Sequence, residues 1–301
     1  MKLFKEPYIT QENLQAREEY LQSCLSMFPK AFQQSASGPL DPRIIAPIVW
    51  LQNARLSLQR HNLTPLSPRN LRQYAIDQSV LVAQETAKIL SRCLNSKLSP
   101  SWIRADRSVS LASSASTWLC MHIWRCILLL LFRADYFRAI DLVQAASEIG
   151  GARQVNEYCG RYIEFFLSAL YNRLRDGQST NLDEDEEMIA YASGDLQNNP
   201  DVSWVWNGGN GSGDGSRSSQ QSRSNTSFDP IGQRVVKRLK SPPSTDNESI
   251  GWDEWHHIER RVRFLLEQQQ GRRQQGQRSP TQPPTKSSPG DASRMTIASI
   301  I

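Results

Sequence analysis

Cysteine is sparse in this sequence, and the cysteines that are present form no motif. The 301 residues include five of them, and the closest pair is Cys120 and Cys126. This spacing excludes the paired CxxC ligands of structural zinc sites and the dense disulfide framework of small secreted domains. The first ten residues, MKLFKEPYIT, also lack the apolar core of a secretory signal. We therefore expect free, mostly buried thiols in a reducing compartment.

The motifs of the commonest enzyme classes are missing as well. The sequence has no phosphate loop of the GxxxxGK type, no HExxH and no GxSxG. Lone carboxylates such as Asp141 and Glu164 occur among helix-surface charges, where a solvated side chain is the usual outcome. We predict that the chain is not an enzyme, and we expect no cofactor and no resident metal.

Long apolar runs are absent, apart from one at residues 117–132. This run has 16 residues, includes His122 and Arg125, and is closed by Arg133 and Asp135. A transmembrane helix needs about 20 apolar residues, and an arginine near the middle of the bilayer is costly. A helix that is apolar on nearly every side is otherwise the central helix of a bundle. We predict that central helix and expect no contact with a membrane.

His122 and Cys126 stand one helical turn apart in this run, which raises the question of a metal or nucleophile site. Cys120 is two residues from His122 and so points to nearly the opposite side. Zinc needs three or four convergent ligands, and the sequence offers no second pair. A nucleophilic cysteine needs a base and an orienting partner. We predict instead a small buried thiol and a histidine bonded to a neighbouring carbonyl.

Hydrophobic periodicity predicts an all-α fold, a helical bundle with long disordered C-terminal segments. No alternating period of two competes anywhere, so little or no sheet is expected. Apolar residues recur near helical spacing in six stretches: 9–28, 41–62, 67–94, 117–132, 134–151 and 152–177. The last three are joined by tight turns, which predicts antiparallel neighbours.

Capping signals and apolar stripes define these helices further. Thr10, Asp41-Pro42 and Asp135 are typical of helix starts, and Gly150-Gly151 of a stop. The stripe predicted within 134–151 is Phe137, Ile140, Val143 and Ala146. The stripe predicted within 41–62 is Ile44, Ile48, Leu51, Arg55 and Leu58. Residues 95–116 are polar and serine-rich, which predicts a loop.

Charge is divided into regions. Residues 1–176 contain 21 lysines and arginines against 14 acids, residues 177–229 contain 2 against 9, and residues 230–301 contain 12 against 7. An acidic region between two basic ones is not the uniform basic surface of a nucleic-acid-binding protein.

The acidic region has two possible roles. Its acids begin as Asp183, Glu184, Asp185, Glu186 and Glu187, and Trp204 and Trp206 follow. Acids at a helix N-terminus are stabilised by the helix dipole, so the segment can be a packed part of the core. Acids interspersed with aromatics are also typical of activation segments that fold on a coactivator. Both interpretations remain open on the sequence.

The rest of the C-terminal part divides at changes of composition. Residues 207–250 form a Gly/Ser-rich linker, which cannot repay its ordering entropy. It ends in a basic patch of Arg234, Lys237, Arg238 and Lys240 beside Ser241-Pro242. This patch is a candidate nuclear-import signal with Ser241 as a candidate phosphorylation site, or else an ordinary solvated basic turn. Residues 271–301 are rich in Pro, Gln and Ser and are predicted to be a disordered tail.

Residues 251–270 predict an amphipathic helix. Its apolar face comprises Trp255, Ile258, Val262, Leu265 and Leu266. Such a face must be covered, either by the chain's own core or by the groove of a partner.

Three stretches resemble the regulatory region, called the middle homology region, of fungal binuclear zinc-cluster transcription factors. They are LQNARLSLQRHNLTPLSP at 51–68, TWLCMHIWRCILLLLFRADYFRAI at 117–140, and DEDEEMIAYASGDLQNNPDVSWVWNG at 183–208. The resemblance covers about residues 10–270. It implies an all-α regulatory domain over residues 1–200 that controls RNA polymerase II transcription in the nucleus, with possible shuttling to the cytoplasm.

The same resemblance implies which partners to expect. These are a transcription coactivator or other transcription factors, and possibly a second copy in a homodimer. The six-cysteine zinc cluster of the family is absent, so no sequence-specific DNA contact is expected from this chain. The chain is then either a fragment of a longer factor or a form without its own DNA-binding module. The alternative function is a soluble helical scaffold or interaction protein with no transcriptional role.

Overall fold

A computed structural model describes residues 8–33, 35–64, 67–95, 111–175, 182–194 and 254–277. Helices occupy most of these residues, and no strand occurs among them, which confirms the predicted all-α class. In chain order the helices are α1 Gln11–Ser26, α2 Ala46–Arg60, α3 Arg69–Asn95, α4 Leu111–Ser114, α5 Thr117–Phe132, α6 Tyr136–Ile149, α7 Gln154–Arg175, α8 Glu186–Ser193 and α9 Trp255–Gln277. Short 3-10 turns occupy Lys30–Phe32, Pro42–Ile44, Gly150–Ala152 and Leu182–Glu184.

Helix α5 is the centre of the bundle. Twelve of its 16 residues are buried, and α2, α3, α6, α7 and α8 all pack against it. Arg125 is accommodated because its Nη1 donates to Asn53 Oδ1 of α2 at 3.1 Å. The Ser116 side chain caps the helix by accepting from the Leu119 amide. None of the described helices is both long and apolar enough to cross a bilayer.

The turns on either side of α6 follow the predicted capping pattern. Asp135 Oδ1 accepts from the Arg138 amide at 3.4 Å and caps the start of α6. Ala134, just before it, has a φ of +55°, a conformation that a non-glycine residue seldom adopts. Gly150 ends α6 with a φ of +49°, which glycine tolerates because it has no Cβ.

Helices α5, α6 and α7 do not all pack on one another as predicted. Both α6 and α7 lie against α5, but they share few contacts with each other. The reason is α9, which packs against both of them and most extensively against α6. The sequence predicted that α6 packs directly on α7. In the structure, α9 instead packs against both helices.

Two predicted apolar stripes need correction. Phe137 is 66% exposed, although Ile140, Val143 and Ala146 of the same predicted stripe are buried, because the buried face of α6 continues through Tyr136 and not through Phe137. Ile44 is 43% exposed, because it belongs to the 3-10 turn Pro42–Ile44 and not to α2. Asp41 caps that turn by accepting from the Arg43 amide at 2.9 Å, and α2 begins only at Ala46.

A fully buried arginine joins α1, α2 and α3. Arg55 on α2 places its Nη2 2.5 Å from Glu18 Oε1 of α1 and its Nη1 against Glu85 Oε2 of α3. Gln52 accepts from Arg55 Nη1 at 2.7 Å and donates to Glu85 at 3.0 Å. Gln59 donates to Glu18 Oε2 at 3.4 Å. One cation thus bridges two carboxylates in a region closed to solvent.

This network holds α1 on the bundle, since the two helices that it joins to α1 both belong to the core. Desolvating three charges is expensive, and only the mutual pairing of all three offsets that cost. Removing one charge therefore leaves the others buried and uncompensated.

We expect Arg55→Ala to lower the free energy of unfolding by about 3–5 kcal/mol, because Glu18 and Glu85 lose their buried partner. Urea denaturation measures this change. Arg43→Ala is the matched control: its pair with Asp41 is exposed, so the cost stays below about 1 kcal/mol. Equal effects of the two substitutions would contradict a structural role for the buried network.

Candidate functional site

The apolar face of α9 lies on the chain's own bundle. Trp255, Ile258, Val262 and Leu265 are each no more than 2% exposed, and Leu266 is half-buried against the same core. The sequence left two destinations open for this face, the core and a partner. In the structure the face covers α6 and α7.

Polar contacts frame this apolar face along its length. Gln144 Nε2 on α6 donates to Glu259 Oε1 at 2.9 Å. The Tyr171 hydroxyl on α7 donates to the carbonyl of Arg261 at 2.9 Å, while the Arg261 guanidinium lies 5.0 Å from the centre of the Tyr171 ring. Such stacked cation contacts contribute about 0.5–1 kcal/mol at exposed sites. The position of α9 is therefore fixed by packing and by directional bonds together.

The acid-rich segment 183–187 lies across the ends of the bundle helices and meets arginines there. Asp183 accepts two bonds from Arg133 Nη1, at 2.6 and 2.7 Å. Arg173 of α7 donates to Asp185 and to Glu187, each at 2.7 Å. Its bond to the Asp185 carboxylate raises the pKa of Arg173 above the ordinary value. Glu184 and Glu186 are paired in addition, with Arg69 and Arg72 of α3.

This segment also has the geometry of a helix start. Leu182–Glu184 is a 3-10 turn, Asp185 Oδ1 accepts from the Met188 amide at 3.1 Å, and α8 follows. Acids in the first turn face the positive end of the helix dipole. In the structure the acid-rich segment is therefore packed against the bundle.

The four arginines that pair with these acids were not predicted from the sequence. Arg69 and Arg72 lie on α3, Arg173 lies on α7, and Arg133 directly follows α5, so the four arginines come from three separate places in the chain. Arg69 and Glu184 are 115 residues apart. No local spacing signals such a pair, and the sequence shows only that acidic and basic residues are concentrated in different regions.

His122 and Cys126 form a buried contact without the features of a metal site. His122 Nε2 lies 2.9 Å from the Thr86 hydroxyl and 3.6 Å from Cys126 Sγ. The expected carbonyl partner is thus wrong: the nearest polar group is a hydroxyl of α3. Burial, with Arg125 nearby, lowers the pKa of His122 to about 3, so the imidazole is neutral. Among the described residues, neither side chain belongs to a group of three candidate ligands.

Burial favours the neutral form of the buried thiols in the same way. Burial raises the pKa of Cys126 and of Cys93 to about 12 and that of Cys120 to about 11. The pKa of Cys159 is also raised well above its ordinary value by burial. Since the thiolate is the nucleophile, none of these four is prepared for catalysis. Cys24, on α1, is only half-buried.

The surface of the bundle also has a cavity and an exposed pair of tryptophans. A half-open cavity of about 400 Å³ lies where α5 ends, between α6, α7 and α9, with mostly apolar walls such as Phe132 and Leu170. Trp50 of α2 and Trp118 of α5 are 57% and 52% exposed, and their rings lie 5.3 Å apart. Tryptophan is enriched where proteins bind one another, so this pair is a candidate contact surface.

The other predicted site residues lie outside the described part of the chain. These are Trp204 and Trp206 of the acidic region, the basic patch Arg234, Lys237, Arg238 and Lys240, and Ser241. The predictions made for them remain predictions.

Comparison with known proteins adds no relative to this description. No family model matches the chain, and neither a curated protein nor a solved structure matches it.

We expect a thiol-specific disulfide reagent to modify one cysteine rapidly in the native protein at pH 8, because only Cys24 reaches the surface. In denaturant all five react. Cys24→Ser should abolish the rapid phase, which absorbance of the released thiol records. Rapid native modification of Cys126 would contradict its burial.

We expect Trp255→Ala to release α9 locally, because a buried tryptophan side chain is worth about 3–5 kcal/mol. Hydrogen exchange should show faster exchange of the α9 amides while α5 stays protected. Glu267→Ala, an exposed position on the same helix, serves as the control and should leave exchange unchanged. If α9 exchanged rapidly already in the wild type, its docking on the bundle would be refuted.

Proposed function

We propose that the chain is the regulatory region of a fungal zinc-cluster type transcription regulator and acts without catalysis. The resemblance of residues 51–68, 117–140 and 183–208 to that family supports this proposal, and the all-α bundle is compatible with it. One observation carries it furthest: all five acids of segment 183–187 are paired with arginines of the bundle.

The pairing suggests how such a region works. In the structure, the five acids of the segment are paired with four arginines: Arg133, Arg173 and two arginines of α3. A coactivator with a basic surface has to compete with those arginines for the same acids. A signal that loosens them shifts the protein toward a state in which the segment is exposed. The resting bundle is therefore the masked form in this proposal.

The partners in this proposal follow from the same reasoning. A coactivator or another transcription factor receives the exposed acids, and a separate DNA-binding module, on this polypeptide or on a partner, supplies the DNA contact. The basic patch at Arg234, Lys237, Arg238 and Lys240, with Ser241 beside it, would direct nuclear import, with shuttling controlled by phosphate at Ser241. A homodimer is compatible with the proposal but not required by it.

A helical scaffold without a transcriptional role is the second candidate. The exposed pair Trp50 and Trp118 favours it, because large exposed aromatics are typical of binding surfaces in any class of interaction protein. A scaffold outside the nucleus would keep a steady cytoplasmic location with the basic patch intact. The two candidates therefore differ in where the tagged full-length protein resides.

The masked state can be tested by tethering the full chain to a heterologous DNA-binding module and recording reporter output. We expect low output from the wild type and higher output from the double variant Arg133→Ala, Arg173→Ala. Losing these partly exposed pairs removes about 1–2 kcal/mol of restraint, so output should rise by at most about 5- to 30-fold.

Arg161→Ala is the matched control for this experiment. Arg161 pairs with Glu157 within α7, away from the acid-rich segment, so its loss should leave output unchanged. Equal and absent output from all three proteins under every nutrient condition would contradict the transcriptional proposal and favour the scaffold.

A further inference from the structure

Three side chains from two elements converge where α9 begins. They are Glu164 of α7, Glu254 immediately before α9, and His257 in its first turn, and their candidate ligand atoms all lie within 4.8 Å of one another. His257 Nδ1 is 2.9 Å from Glu164 Oε1. We propose that these three residues bind a zinc ion, which ties the first turn of α9 to α7. This inference stands apart from the proposed function.

The donor set suits zinc better than magnesium or calcium. One imidazole nitrogen and two carboxylate oxygens leave a fourth position for water, as in tetrahedral zinc sites with three protein ligands. Magnesium and calcium prefer oxygen ligands only, and more of them. Zinc bonds of about 2.0–2.1 Å place tetrahedral ligands roughly 3.3 Å apart. The present separations of up to 4.8 Å must therefore shorten through side-chain rotation when the ion binds.

The backbone beneath the three ligands is already fixed. Trp255 and Ile258, the neighbours of Glu254 and His257, are 2% and 0% exposed. On α7 the neighbour Ile163 is fully buried. Ligands carried on rigid elements lose little entropy when they bind, which favours a defined site. His256 is adjacent to His257 but points about 100° away on the helix and is not part of the group.

The charges of the group favour a cation. Glu164 and Glu254 bring two carboxyl groups to within 4.8 Å of one another, and a divalent cation between them is attracted to both.

Arg261 is the competitor for this position. Its Nη1 lies 3.7 Å from Glu164 Oε1. The same guanidinium also stacks on Tyr171 and donates to Ser168 Oγ at 3.2 Å, so it keeps partners if zinc displaces it from Glu164. Competition of this kind weakens binding without blocking it. Binding should also weaken as the pH falls, because protons compete for all three ligands.

The test uses the full chain carrying Cys24→Ser, which removes the accessible thiol, after dialysis against a chelator. Zinc is titrated by calorimetry, and cobalt is titrated as a spectroscopic probe. We expect one zinc per chain, tetrahedral cobalt absorption, and a higher melting temperature with zinc than without it. We expect Glu164→Gln and His257→Ala to weaken binding by about tenfold or more, as even the loss of an outer-shell partner does so.

His256→Ala is the matched control and should bind zinc as the parent does. Glu254→Gln, at an exposed position, repeats the test without touching the packed surface of α7. Circular dichroism of the zinc-free variants establishes that each one folds. The proposal is overturned by a parent protein that shows no saturable zinc binding. It is equally overturned if all the ligand variants bind as tightly as the parent, or if His256→Ala alone abolishes binding.

Discussion

Helix α5 is apolar on nearly every side, and the other helices are arranged so that they cover most of its surface. Burial of apolar surface is the main favourable term in folding, so a helix with 12 buried residues out of 16 dictates where its neighbours lie. Helices α2, α3, α6, α7 and α8 surround it. Its one inward charge, Arg125, is tolerated through Asn53. The bundle is thus organised from its centre outward.

Two outer helices, α1 and α9, pack on the helices that surround α5, and different interactions hold each of them in place. On one side, α1 is held by the buried charges around Arg55, whose directional pairing specifies how α1 sits. On the other side, α6 and α7 share few contacts with each other, and α9 packs against both through Trp255 and its apolar neighbours. The acid-rich segment then closes the ends of α3 and α7 through ion pairs. Helix α9 and the acid-rich segment therefore both lie at the outside of the bundle, around the core that α5 organises.

Local sequence signals predicted the helices. The spacing of apolar residues predicted the buried face of α9, and the capping residue Asp135 predicted the start of α6. These signals failed where burial depends on distant partners. Phe137 has the right spacing for a core position, yet it is 66% exposed. Arg55 falls within an apolar stripe only because Glu18 and Glu85 neutralise it. The group of Glu164 and His257 joins residues 93 apart, and no local pattern reveals it. Sequence alone predicts which face of a helix is apolar, but not which element that face packs against.

The central claim is that the bundle holds its own C-terminal helix. Spin labels at exposed positions of α6 and α9, Phe137 and Glu267, in a Cys24→Ser background would measure the distance between them directly. The account predicts one narrow distance distribution that does not change when the labelled protein is diluted with unlabelled protein. A broad, long distribution would mean that α9 is not docked. A short distance that vanishes on dilution would mean that α9 docks on another copy, and either result would contradict the account.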